Sequence, residues 1–411
     1  MRKILDGVRV LDLTQFYSGP HATLLLAGLG AEVIRIDSPG GAETVAVAPP
    51  YAGTRGITFD RKSPDDLNIN YLKRTRGKKA IALDLKHPEG KALFFRLVDN
   101  ADIVIENFSV GVAQRLGIDY ESLRARNPRL IYCAVTGYGS TGPDRHSRAY
   151  DFTIQAAAGL MSVTGQPGQP PTKAGSPLSD AIAGTFAMAS ITAALFDRAN
   201  TGKGQFIDVS MVDCLFSLLF DDPIDWYERL GVPVQQGNRS NVRFSPLNTY
   251  ATKDGWAVLG AATALHWHGL LKAIGRIDLI GNPNWDSIDW RVANVEEVDV
   301  LIRDWALTRS TAEAVSSVQS AGAIASVIRG PKELAEWAHL KERGMYVPLE
   351  HPTLGTLSEI GAPGFPVKFS GATAGYDSPA PLPRQHNKEI YGELLELTPS
   401  EIERLTNAGV I

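Results

Sequence analysis

Val8-Arg-Val-Leu-Asp-Leu13 is a short apolar run closed by the turn Thr14-Gln-Phe-Tyr-Ser-Gly-Pro20. A helical stretch, His21 to Gly28, leads from it to a second apolar run, Glu32-Val-Ile-Arg-Ile36. A strand, a crossover helix and a second strand of this length place two parallel strands side by side, with the helix over one face. The pattern returns at Ala80 to Leu85, Ile103 to Glu106 and Leu130 to Ala134, with helical segments between. Short buried strands alternating with helices predict an α/β fold, a Rossmann-like parallel sheet. The turn after the first strand lacks the Gly-x-Gly-x-x-Gly fingerprint, which counts against a dehydrogenase.

The chain has 411 residues, enough for two domains, and its 44% hydrophobic and 21% charged content is that of an ordinary globular protein. A net charge of −4 gives no reason to expect nucleic acid. Cys133 and Cys214 have no CxxC or His pattern around them and read as buried thiols of a reducing compartment. The N-terminus leads straight into a strand with no signal-peptide pattern, and no uncharged apolar run of membrane-spanning length follows, so a cytoplasmic protein without membrane contact is expected. All seven tryptophans fall between Trp226 and Trp337, which marks a second structural unit after about residue 220. Within it, Asp254-Gly255 sits between two β-prone runs as a hairpin turn, and helical segments follow near His268 to Ile274 and Val295 to Thr308. From Pro331 the chain is helical again, Gly344 to Phe369 is rich in Gly, Pro and short strands, and Thr398-Pro-Ser-Glu401 opens a capped final helix.

Among eight scattered histidines the closest pair is His266-Trp-His268, a spacing that cannot put both on one helix face, so no metal site is expected. Gly137-Tyr-Gly-Ser-Thr-Gly142 follows a strand, but its serine misses the spacing of a nucleophile elbow. Carboxylates are the stronger candidates, because a carboxylate can form a covalent acyl intermediate. Asp180 stands in Gly175-Ser-Pro-Leu-Ser-Asp-Ala-Ile-Ala-Gly184, at the start of a small-residue helix, Ala181 to Leu195, whose unpaired N–H groups favour a negative charge. Asp151 stands in Arg148-Ala-Tyr-Asp-Phe-Thr-Ile-Gln155, where a second helix opens. On position alone Asp180 reads as an N-cap, and a cap of the Phe152 helix is equally open to Asp151. Lys73-Arg-Thr-Arg-Gly-Lys-Lys79, Lys86 and Arg115 lie near strand ends, where they would grip phosphates or form a solvated charge run.

Several segments in collinear order resemble the class III CoA-transferases, the formyl-CoA transferase and carnitine CoA-transferase family. They are Leu5-Asp-Gly-Val-Arg-Val-Leu-Asp-Leu13, Gly28-Leu-Gly-Ala-Glu-Val-Ile-Arg-Ile-Asp37, Lys79-Ala-Ile-Ala-Leu-Asp-Leu-Lys86 and Ala101-Asp-Ile-Val-Ile-Glu-Asn-Phe108. Arg115-Leu-Gly117, Asn127 to Tyr132, Thr136-Gly-Tyr-Gly139, Gly202 to Met211 and the tail Pro381 to Ile411 continue the match.

The resemblance implies a Rossmann-like large domain built from both chain ends, residues 1–200 and 331–411, a linker at 201–224 and a smaller α+β domain at 225–330. It implies an interlocked, ring-like homodimer, with a heteromer containing a related subunit as the alternative. The implied reaction moves CoA from an acyl-CoA donor, such as succinyl-CoA, to a carboxylic acid, through aspartyl-anhydride and aspartyl-CoA thioester intermediates. Coenzyme A thioesters are then substrates, and no cofactor is held permanently. By position, the nucleophile is Asp180 and its acidic neighbour Asp151. CoA contacts fall on Phe16, Tyr17, Ser18, Leu83, Leu85, Lys86, Asn107, Phe108, Arg115 and Arg148, the last in place of a lysine. Ser38 stands where the formyl-CoA enzyme has an arginine, for which Lys73, Arg74 or Arg76 would substitute. The acceptor pocket would involve Gly237 to Phe244 and Gly260 to Ala264, with Arg239 or Arg243 on a distal carboxylate, and N–H groups at the Ala181 helix start would serve an oxyanion. The rival on this scaffold is an α-methylacyl-CoA racemase, which pairs the aspartate with a histidine at the place of Tyr150; a tyrosine is a poor proton shuttle near neutral pH, although His146 lies close in sequence.

Overall fold

The computed structural model describes residues 2–40, 48–221, 223–239 and 243–411. The chain divides into two compact units, the first comprising Met1–Ala158, Gly175–Leu218 and Trp337–Ile411, the second Gly159–Ala174 and Leu219–Glu336.

In the first unit β1 (Arg9–Asp12) runs into helix α1 (Ser18–Gly28) and β2 (Glu32–Asp37). A short helix α2 (Ile69–Arg74), β3 (Lys78–Ala82), α3 (Pro88–Asp99), β4 (Ile103–Glu106) and β5 (Ile131–Thr136) follow. Then come α4 (Asp151–Ala157), the long α5 (Leu178–Thr201), β6 (Phe206–Ser210) and α6 (Met211–Leu219). The six strands are parallel and lie in the order β3-β2-β1-β4-β5-β6. That is the Rossmann order, and its direction reverses between β1 and β4, so a crevice opens there beyond the carboxyl ends of the strands. Leu11, Ile34 and Val104 are fully buried, as expected of strands covered on both faces. The chain's end joins the same core: Ile390, Tyr391, Leu405, Val410 and Ile411 pack with Leu11, Ile81, Phe94 and Leu97.

Two departures from the sequence reading have clear causes. The third strand spans Lys78 to Ala82 rather than Ala80 to Leu85, because Lys78 points inward, fully buried, and bonds Asp12 (3.1 Å) and Thr23 (2.6 Å). Thr14 and Thr23 also donate to Asp12. Burial works to raise the Asp12 pKa, but Lys78, Arg35 and the two hydroxyls hold its carboxyl below the usual range. The stretch 201–224, expected as a linker, instead contributes β6, the sixth strand of the sheet, and α6.

Helix α5 is long and apolar enough, by length and composition alone, to cross a membrane, which the sequence reading did not find. In the folded unit it packs along α1, and near its C-terminal end Arg198 is buried against Asp102 at 2.8 Å. The approach of α1 and α5 depends on Gly184. A Cβ there would lie 2.5 Å from the Ser18 carbonyl oxygen and 3.1 Å from the His21 ring.

In the second unit a three-stranded antiparallel sheet, Leu247–Ala251, Trp256–Gly260 and Ile324–Val327, packs with helices Ala264–Ala273, Val295–Ala306 and Thr311–Ser320. The Asp254-Gly255 turn joins its first two strands. Trp267 is completely buried at the centre of that core and stacks on Trp285 with ring centroids 6.2 Å apart.

Replacing Gly184 by alanine should favour the helix by up to about 1 kcal/mol but wedge α1 from α5 at a cost of about 1–3 kcal/mol. The expected result is a lower urea midpoint at unchanged m-value. An equal or higher midpoint would show that the two helices need no glycine between them.

Candidate active site

The crevice between β1 and β4 holds a cleft of about 430 Å³. Its lining comes from the turns after β1 (Phe16, Ser18), β4 (Asn107, Phe108) and β5 (Thr136, Gly137), from Arg145 to Asp151 ahead of α4, and from Asp180 on α5. Of the residues singled out in the sequence, the cleft gathers Asp180, Asp151, Phe16, Ser18, Asn107, Phe108 and Arg148.

Asp180 is the third residue of α5 rather than its cap. The N-cap, Pro177, has no polar side chain, and the capping acceptor comes from outside the helix. Asp151 Oδ1 accepts from Ser179 N (2.9 Å), Ser179 Oγ (2.6 Å) and more loosely from Asp180 N (3.4 Å), while its Oδ2 accepts from Gln155 Nε2 (2.7 Å). Asp151 therefore does not cap its own helix; at the start of α4, Thr153 bonds both the N–H and the carbonyl of Tyr150. The remaining free N–H groups of α5 are also used, Leu178 on Ser176 and Ala181 on Pro177. The helix start thus has no donor left for an oxyanion, contrary to the expectation at Ala181, because Asp151 and the preceding turn occupy its N–H groups.

Its backbone N–H faces Asp151, and Ser18 at the start of α1 lies beside its carboxylate in the same cleft. Burial and the neighbouring Asp151 charge push its carboxyl up to about 6, against the opposing effects of Ser18 and Arg74. Arg74 approaches from α2: it donates to the Phe16 carbonyl (2.8 Å) and lies over the Tyr17 ring (4.1 Å). Tyr17 is half-buried, its hydroxyl pKa raised by burial despite Arg74.

The β1–α1 turn itself is held on every side. Asn107, expected on CoA, uses its amide on the turn, accepting from Gln15 N and donating to Gln15 O, each at 2.8 Å. Phe16 has a left-handed backbone (φ 64°), a conformation an aromatic residue keeps only when its surroundings hold it there. Leu83 is a core side chain whose N–H bonds the Asp37 carbonyl, and Leu85, partly buried, packs against the same core; neither lines the cleft. Lys86 and Arg115 are exposed and do not line the cleft. In the second unit Arg239 is tied to Glu296 (2.7 Å) and Asp299 (2.8 Å), so its charge is already matched. Ser240, Asn241 and Val242 of the expected acceptor loop lie outside the described residues, and Arg243, which borders them, is not a free cation.

Sequence reasoning missed Ser179 and gave Ser18 a different role; both are small hydroxyl residues next to helix starts, a pattern that signals capping and nothing more. It also missed the link between Arg74 and Asp180, which joins residues 106 positions apart and has no local signal.

The raised pKa has a measurable consequence. A carboxyl held at about 6 in the fold and near its ordinary 3.8 when unfolded binds more protons in the folded state between those values, so the stability of the fold falls as pH rises through that window. Asp180→Asn, which carries no charge, should raise the urea midpoint at about pH 8, with the gain fading as pH drops from about 6 toward 4. A gain independent of pH would mean that Asp180 is not held at a raised pKa.

The sequence model described as CoA-transferase family III matches residues 5–387. The chain is 33% identical over 396 residues to a succinate–glutarate CoA-transferase of Agrobacterium fabrum, covering 95% of each chain. It is 32% identical over 408 residues to a succinyl-CoA–D-citramalate CoA-transferase of Chloroflexus aurantiacus, covering 99% of this chain and 98% of that one. Among solved structures, a CAIB/BAIF family protein from Brucella suis superposes with a TM-score of 0.82 at 31% identity, covering 96% of this chain and 100% of that one. With a family match across nearly its whole length and relatives of the same length and named activity, the chain belongs to CoA-transferase family III and is a CoA-transferase.

Proposed function

We propose that Asp180 is the nucleophile of this transfer, that succinyl-CoA is a donor and that the acceptor is a carboxylic acid. The observation that carries the reading is Asp180 beside Asp151 and Ser18 in the lining of the switch-point cleft, its backbone N–H turned toward Asp151. Asp180 attacks the thioester carbonyl, the C–S bond breaks, and CoA leaves as thiolate while a mixed anhydride forms. The thiolate then attacks the aspartyl carbonyl, releasing the donor acid and leaving an aspartyl-CoA thioester. The acceptor carboxylate attacks that thioester, giving a second anhydride and thiolate, and the thiolate takes the new acyl group, which frees Asp180. Each step conserves the thioester's free energy in a covalent bond, provided water is kept out. Asp151 positions Asp180 by holding its N–H and those of Ser179, and its charge keeps the carboxyl of Asp180 from ionising too early. The succinyl donor is supported by the names of two relatives.

A second reading, racemisation at the acyl α-carbon, draws on His146, which lines the same cleft beside Tyr150. The tyrosine at position 150, where the racemases would have a histidine, argues for transfer. We also propose that two copies interlock as a dimer in the cytoplasm. Supporting the dimer are the apolar faces left open on α5 and α6, with Phe196 74% and Phe216 47% exposed. Supporting the compartment are the two cysteines, both free thiols.

Mass spectrometry of the protein with succinyl-CoA and a panel of carboxylic acids should show new acyl-CoA species that disappear in Asp180→Ala. Deuterium uptake at the α-carbon of a branched acyl-CoA without any exchange would move the assignment to a racemase. For the wild type, kcat/KM should fall about tenfold per pH unit below about 6, since the attacking form is the ionised one. In Asp151→Asn the like charge is gone, and the limb should move to lower pH; an unmoved limb would remove Asp151 as its cause. Light scattering should give the mass of a dimer, and a monomer mass would end the interlocked arrangement.

A further inference from the structure

The chain that returns to the first unit after Trp337 builds a second cavity, of about 430 Å³, against the segment leading into β3. Its walls include Arg76, Val347, Phe365, Lys368 and Tyr376. Two backbone bonds fix that wall: Gly77, immediately ahead of β3, donates to the Ser378 carbonyl (3.0 Å), and Gly375 donates to the carbonyl of Gly28 at the end of α1 (2.8 Å). The cavity therefore stands at the amino end of β3, whereas the cleft of Asp180 opens beyond the carboxyl ends of the strands. The two share no lining residue. Arg76, a candidate for the CoA contact missing at Ser38, faces this cavity and not the cleft.

Arg76 is only 5% exposed. Its Nε donates to the Lys73 carbonyl (3.1 Å) and Nη2 to the Pro363 carbonyl (2.8 Å), and its guanidinium lies over the Tyr376 ring at 4.5 Å. The remaining N–H groups of the fork are uncommitted. Among the described residues no carboxylate pairs with Arg76, and the Tyr376 hydroxyl, pushed up to about 12 by burial, supplies no charge at neutral pH. Burial, and then the charge of Arg76, lower the pKa of the adjacent Lys73 ammonium, as befits two cations without an acid between them. A buried charge left unpaired is costly, so this guanidinium is an unmet electrostatic demand. Lys368 lines the same cavity and has no ion pair among the described residues. Of the two acids in the wall, Asp377 is taken by Lys3, while Glu350 is exposed on the strand Tyr346–His351. Two cations thus face one unmatched acid, and the cavity has a single positive charge in excess. Its other side is apolar: Phe365 and Tyr376 meet edge-on, ring centroids 6.4 Å apart, near Val347 and Pro348.

We propose that this cavity is a second ligand site, separate from the catalytic cleft, for an organic monoanion with a carboxylate head and an apolar body, the head held by Arg76 and Lys368. The open edge of a guanidinium fork matches the two oxygens of a carboxylate, and the aromatic wall takes the body. The volume falls in the range of about 300–1,000 Å³ usual for small-molecule pockets. A phosphate dianion is the other group that a guanidinium fits. It is disfavoured by the single excess charge and by Glu350 in the wall. The site is independent of the role given to Asp180.

The probes are benzoate, its neutral isostere benzamide and inorganic phosphate, each titrated calorimetrically into the full-length protein with CoA at saturation to occupy the cleft. Benzoate should bind, and benzamide should bind at least about tenfold more weakly, the loss expected when a charge-assisted hydrogen bond is removed. Arg76→Gln should weaken benzoate about 10- to 100-fold, and Lys368→Gln about 2- to 5-fold, as for an exposed charge. Arg76 also ties three segments together, so Lys368→Glu is the control for a variant that fails to fold: it alters an exposed side chain, reverses its charge and should abolish binding. Transfer from succinyl-CoA by Lys368→Gln should run at the wild-type rate. No benzoate binding, or equal binding of benzoate and benzamide, would overturn the proposal. So would wild-type benzoate affinity in Lys368→Glu, which would place benzoate elsewhere. Phosphate binding tighter than benzoate would make this a phosphate site and remove the carboxylate assignment. A raised KM for succinyl-CoA in Lys368→Gln would join the cavity to the path of the substrate and end its separateness.

Discussion

Two carboxylates side by side and partly withdrawn from water repel each other, and the donors that keep Asp151 and Asp180 together account for much of the surrounding structure. Asp151 takes two N–H groups and a hydroxyl from the first turn of α5, and a buried glutamine amide besides. Asp180 lies beside Ser18 in the first turn of α1. Both helix starts therefore point at the pair, where the positive ends of their backbone dipoles favour negative charge. Neither arrangement survives if the two helices stand further apart. The bare backbone of Gly184 is thus as much part of the site as the acids are.

The turn that carries Ser18 is fixed from below and from the side. Below it lies the buried Asp12–Lys78 pair, satisfied by two threonine hydroxyls, as buried charges must be. Beside it, Asn107 at the end of β4 replaces a strand neighbour for Gln15, bonding both its backbone groups. Arg74 fixes the next carbonyl. With every neighbour held, Phe16 can remain in a backbone region costing on the order of 1–3 kcal/mol for a bulky residue. The result is a largely exposed aromatic ring held in the lining of the cleft that contains Asp180.

Much of the first unit is legible in the sequence because strands buried on both faces are written as unbroken apolar runs. Ile103 to Glu106 is a strand as read, and β1, β2, β3 and β5 fall within a few residues of their expected bounds, whereas β6 lies in the stretch read as a linker. The acids, too, stand out at helix starts. Their division of labour does not, since Asp151 serves a helix that begins 27 positions later, and no local pattern records that. Lys78 looked like part of a solvated basic run, because a charge run carries no mark of which member turns inward. Arg239 looked available for a substrate until Glu296 and Asp299, nearly 60 positions on, were found on it.

By itself the sequence determined the α/β class of the fold and, through collinear segments, the family. Those rest on local periodicity, on side-chain chemistry and on the order of motifs, all of which are one-dimensional. Only the tertiary structure decided which groups take up the N–H donors at the start of α5, which arginine stands near Asp180, and which member of the basic run turns inward. These are questions of which group meets which across long sequence separations. Hydrogen bonds and ion pairs act over a few ångströms of space, and chain distance does not enter them.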